Sequence, residues 1–97
     1  MIYMIKLTIV VDRAVYERHL PAHLVYLRDL KARGVLLLSG PFADRTGGMV
    51  LIQAPSREAA QMIAQADPLV ANNVDTYELH EWLITDGRPE DIRISAQ

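Results

Sequence analysis

The hydrophobic period of this sequence switches along the chain between two and 3.6 residues, and the order of those switches limits its folds more than any single residue does. Residues 2–11 (IYMIKLTIVV) are rich in β-branched and aromatic types and set Ile5, Leu7 and Ile9 against Met4, Lys6 and Thr8, the alternation of a strand. Leu20, Leu24, Leu27 and Leu30 then recur at helical spacing, which predicts a helix over Leu20–Arg33 that Gly34 stops. Pro21 is tolerated only near a first turn, so the helix is placed from about Leu20, after a shorter helical turn at Tyr16–His19. Residues 35–39 (VLLLS) are an apolar run too short for a helix and read as a central strand that Gly40-Pro41 ends or bends. Turn chemistry over Ala43–Gly48, with Gly47-Gly48 as the tight turn, leads to a third strand at Met49–Ala54 and makes residues 35–54 a hairpin.

Ser56 is a good N-cap for a second helix through Ala66, whose small positions Ala59, Ala60 and Ala64 suit close packing on a sheet. Asp67-Pro68 opens a short turn or helix, Thr76–Ile84 alternates as a fourth strand, and a polar tail runs from Thr85. The order is β-α-β-β-α-β. Two helices that each return the chain to one antiparallel sheet define an α+β, ferredoxin-like domain with a four-stranded sheet and helices on one face. The strands carry large apolar groups on both sides, so a second subunit's sheet is the expected cover for the other face.

A chain of 97 residues suits one core, here residues 2–84 of a single domain spanning 1–97. A core of that size buries only roughly 60–65% of the unfolded surface, which makes a homodimer attractive. The net charge is −2 with ten scattered basic residues, a pattern that argues against nucleic acid as a partner. Cysteine is absent, so thiolate chemistry and disulfides are excluded, and a reducing compartment fits. The N-terminal strand lacks the charge pattern of a leader, and no apolar run reaches the roughly 20 residues of a membrane span. A cytoplasmic protein is expected.

His23 projects between Leu27 and Leu30, within the apolar stripe of its helix. An imidazole there needs a partner. It is either a core histidine bonded to the backbone or a proton-transfer group oriented by a carboxylate. Asp67 is a natural N-cap, and a cap can use one oxygen while the other holds an imidazole. Gly40 and Pro41 read first as a strand-ending bend; the glycine also permits close approach by a ligand, so both are candidates for a substrate pocket. Arg18 and Arg45 offer charge to an anionic substrate, although exposed arginines are most often solvated surface. His19 lies four residues before His23, but Pro21 intervenes and no HExxH is present, so no metal site is expected. No GxGxxG, Walker loop or GxSxG occurs, and no cofactor is expected.

The helix PAHLVYLRDLKARG (Pro21–Gly34), the strand end LLLSGP (Leu36–Pro41), the helix SREAAQMIAQ, the DPLV segment (Asp67–Val70) and a closing strand with Trp82 resemble, in order, the YciI-like or YCII-related family. The resemblance covers about residues 2–84. It implies a ferredoxin-like subunit of a dimeric α+β barrel and an active-site pair of His23 and Asp67. Relatives are linked to dehalogenation or elimination on a chlorinated lactone. Family members usually carry an aromatic residue after DP and often a glycine a few positions later, where this chain has Leu69 and Asn72-Asn73.

The expected function is a cofactor-independent enzyme in which His23, oriented by Asp67, moves a proton on a small carboxylate- or lactone-type substrate by elimination, isomerisation or hydrolysis. Gly40 and Pro41 would form the pocket floor and Trp82 an apolar wall. The competing expectation is a dimeric module that binds a small molecule or a protein partner without chemistry.

Overall fold

The computed structural model describes residues 1–95. Its elements are β1 (Ile2–Ile9), α1 (Arg13–Ala32), β2 (Leu36–Pro41), β3 (Gly47–Gln53), α2 (Arg57–Ala66), α3 (Pro68–Ala71) and β4 (Asp75–Glu81), followed by one 3-10 turn at Pro89–Asp91. The strands form one sheet in the order β2-β3-β1-β4, antiparallel throughout. This is the ferredoxin-like α+β arrangement.

Three local expectations are corrected. First, α1 is continuous from Arg13, because the Asp12 carboxylate accepts from the Val15 amide at 3.0 Å and caps a helix that carries Pro21 in its interior. The carbonyl that proline leaves unpaired, four residues back at Glu17, belongs to an exposed residue, where water can satisfy it. Second, β2 is an edge strand. Its register shifts between Leu36 and Leu38, so the three-leucine run contains one bulged residue, Leu37, which is 40% exposed. Pro41, with no N–H to donate, fits an edge. Third, Gly47 and Gly48 lie inside β3 opposite Thr8 and Leu7. The turn falls over Ala43–Thr46, where Arg45 takes a φ of 63° and the Asp44 carboxylate accepts from both the amide and the hydroxyl of Thr46.

The core lies between the sheet and the helices. Tyr3, Ile5 and Leu7 of β1 and Val50 and Ile52 of β3 meet Ala60 and Ala64, whose small side chains let α2 approach the sheet. Gly34, at φ 73°, ends α1 in the left-handed conformation. The Tyr26 hydroxyl donates to the Ile63 carbonyl at 2.8 Å and ties α1 to α2. Among the described residues no helix is long and apolar enough to cross a membrane.

Candidate active site

Asp67 sits at the junction of α2 and α3. Its amide donates to the Ala64 carbonyl at the end of α2, while its own carbonyl accepts from the Val70 and Ala71 amides at the start of α3. Proline at the first position of α3 loses no intrahelical bond, and the Asp67 Oδ1 accepts from the Leu69 amide at 2.9 Å. The capping geometry therefore fixes the carboxylate.

His23 comes to it from α1, 44 residues away in sequence. Its Nδ1 lies 2.8 Å from Oδ2 and 2.9 Å from Oδ1 of Asp67. Both residues are buried, at 8% and 4% exposure. An ionised carboxylate only accepts, so Nδ1 carries the proton and Nε2 is the nitrogen left to accept one. Asp67 thus caps a helix and orients an imidazole at once.

His23 lines a cavity of about 480 Å³ between α1 and the β2 end of the sheet. Leu20, Leu24 and Leu27 form its helical side, and Gly40 and Pro41 line it from the edge strand. One imidazole with a free basic nitrogen at a largely apolar wall is suited to moving protons.

Residues 1–83 match the YCII-related domain. The chain belongs to that family. A curated relative, the uncharacterized protein YjpA of Bacillus subtilis (strain 168), is 41% identical over 66 residues, which are 68% of this chain and 78% of YjpA. Solved structures share the fold. The 5-chloro-2-hydroxyhydroquinone dehydrochlorinase TftG of Burkholderia phenoliruptrix AC1100, in complex with 2,5-dihydroxybenzoquinone, superposes with a TM-score of 0.74 at 22% identity, covering 86% of this chain and 94% of that one. Muconolactone isomerase superposes with a TM-score of 0.66 at 17% identity, covering 91% and 100%.

After its DP motif this YCII-related chain carries Leu69 and Asn72-Asn73. Asn73 takes a φ of 58°, a left-handed position where glycine is the common choice and asparagine the next most tolerant one. Leu69 is fully buried and reaches the cavity wall.

The remaining candidates are not all brought together. Arg18 is exposed on the wet side of α1 and lies outside the cavity lining. Trp82 is also outside it, because strand alternation puts residue 82 on the sheet face away from the helices. There it lines a second, apolar groove with Met4, Leu38 and Leu51. Arg45 joins Arg13 and Tyr16 around an adjoining hollow. The His19 ring bonds the Val15 carbonyl at 2.9 Å, and His80 is an exposed neighbour of Glu78. The residues over 85–95 were expected as a polar tail, and of these Ile94 and Ser95 reach the cavity's rim.

Asp75 was not among the candidates. It is the first residue of β4, only 4% exposed, and it lines the cavity with His23. Burial, reinforced by the charge of Asp67 and opposed by His23, pushes its carboxyl up to about 6. The signal was present in the strand: residue 75 has the parity of Tyr77 and Leu79, which face the helices.

Proposed function

We propose that this protein is a cofactor-independent enzyme in which His23, held by Asp67, takes and returns a proton on a small, largely apolar cyclic substrate of the lactone or hydroxyquinone type. The observation that carries this reading is the paired contact of His23 Nδ1, on the imidazole that lines the cavity, with both oxygens of the buried Asp67. Among the described residues no lysine or arginine lines this cavity, which favours an uncharged reacting group over a carboxylate there. Arg13 and Arg45, around the adjoining hollow, are placed for an anionic substituent further out. Elimination and isomerisation both begin with the proton abstraction that Nε2 can perform, and hydrolysis uses the same base on water. The working unit is a homodimer in the cytoplasm, a setting that the absence of cysteine suits.

The test uses α-angelica lactone as a probe in D2O, with proton NMR following deuterium entry at the carbons that can enolise. Wild-type protein is expected to exchange them. His23→Ala should lower the rate by about 10²-fold or more, and Asp67→Asn by a smaller factor, because the imidazole then loses its orienting partner. An unchanged rate in His23→Ala would end the catalytic reading. Retained binding of 2,5-dihydroxybenzoquinone in Asp67→Asn, with no exchange by wild type, would instead identify a ligand-binding module.

A further inference from the structure

The cavity holds a buried carboxyl that the His23–Asp67 pair does not use. Asp67 is satisfied by His23 and by the Leu69 amide. Asp75, equally buried, has an Oδ1 with no hydrogen-bond partner among the described residues, and no described cation pairs with it. Its side chain faces α1 and α3, which present Tyr16, His23 and, at the α3 cap, Asp67. On the strand side its neighbour across the ladder is Ile9, which also lines the cavity. A buried polar atom without a partner is costly, and the carboxyl that carries this one lines the space where a ligand would sit. What enters the cavity meets this carboxyl.

We propose that Asp75 is a second proton-transfer residue of this pocket, a carboxylic acid that protonates a carbonyl oxygen of the substrate while His23 removes a proton from carbon. The proposal rests on the reading of the pocket as an acid/base site. In the first step the C–H bond breaks to His23 Nε2 and its electron pair becomes a C=C bond. The carbonyl π pair takes the Asp75 proton, giving a neutral enol, an imidazolium and a carboxylate. Return of the enol proton to Asp75 and of the imidazolium proton to the original or a conjugated carbon restores both residues and completes exchange or isomerisation. The substrate class follows: a carbonyl compound whose reacting oxygen is uncharged, since a carboxylate placed there would confront Asp75, with the Asp67 carboxylate close by on His23.

The raised pKa of Asp75 suits the role, because a fraction of the carboxyl stays protonated close to neutral pH. Burial sets the direction, and the neighbouring groups adjust it. The Asp67 charge holds the proton on, His23 opposes it, and Tyr16, whose phenol is itself raised by burial and by Asp75, offers no compensating positive charge.

Two measurements on the full chain test this. Carbon-13 NMR of labelled aspartates, with Asp75 assigned through Asp75→Asn, is expected to show a midpoint near 6 that falls in Asp67→Asn. A midpoint in the ordinary aspartate range overturns the proposal and leaves the His23 reading intact. Deuterium exchange into α-angelica lactone is then expected to fall by about 10²-fold or more in both Asp75→Asn and Asp75→Val, with the wild-type decline above pH 6 absent from both variants. Thermal melts no lower than wild type at pH 7 show that the loss is not misfolding. A wild-type rate and pH profile in Asp75→Asn, alongside a dead His23→Ala, overturns the role of Asp75 alone. Absence of exchange by wild type overturns the acid/base reading and this proposal with it.

Discussion

Two carboxyls of the same kind, eight residues apart, differ only in their surroundings, and stability should report the difference. Asp67 accepts from a ring nitrogen and a backbone amide, whereas Asp75 has only burial and a like charge nearby. The Asp75 pKa is raised from 3.8 in the unfolded chain to about 6 in the native one, so between those values the native state binds more protons. This group's stabilisation is therefore complete below pH 4 and is lost as pH rises through 6. A shift of that size corresponds to about 2 to 3 kcal/mol. Asp75→Asn removes the dependence, and its Tm relative to wild type should climb between pH 4 and pH 7.5 in calorimetry. A constant difference across that range would mean that Asp75 titrates normally. Of the residues involved, His23 was legible as an imidazole in an apolar stripe and Asp67 as a cap. Their meeting was not, because no local rule joins positions 44 residues apart and only the family resemblance linked them. Asp75 is not legible as a site residue when the alternation is taken to start at Thr76, because it is the first residue of β4.

At the scale of elements, the helices and strands were legible wherever periodicity was sustained, and errors fell where a side chain or a neighbour overrides it. Asp12 caps α1 well before Pro21, and no pattern of leucines could show that. The glycine pair is a clearer case. A Cβ built on Gly47 would collide with the Leu7 carbonyl, and one on Gly48 would come within 2.7 Å of the Gly40 carbonyl. These glycines are there because β1 and β2 press their backbones onto β3 beside the cavity, a demand that comes from tertiary packing and not from a turn. Gly47→Ala should cost about 1 to 3 kcal/mol in urea unfolding, because the β1 backbone must move to admit the methyl. An unchanged midpoint would show that the two strands are less closely apposed. The displaced end of β1 also carries Leu7 and Ile9 of the cavity lining, so ligand affinity should fall together with stability.

At the scale of the molecule, the sheet has one face under helices and one that is open. The open face carries Met4, Leu38, Met49 and Leu51, with Phe42 and Trp82 beside them, a contiguous apolar groove across three strands. Lys6 and Glu78, 3.7 Å apart, mark a polar border on the same face. An apolar surface of this kind is stable in water only when something covers it, and a second copy of the sheet presents the same alternation. Sedimentation equilibrium should therefore give twice the 10.9 kDa chain mass. A charge placed in the groove by Leu38→Lys together with Met4→Lys should give a folded monomer, and the wild-type Tm should rise with protein concentration where the variant's does not. A wild-type mass of one chain would rule the association out. The association also bears on the site, because Ser39, Gly40 and Met49 line both the groove and the His23 cavity. Covering one side of β2 and β3 restrains the floor of the other, so the monomeric variant should bind 2,5-dihydroxybenzoquinone more weakly than the dimer although no altered side chain lines the His23 cavity.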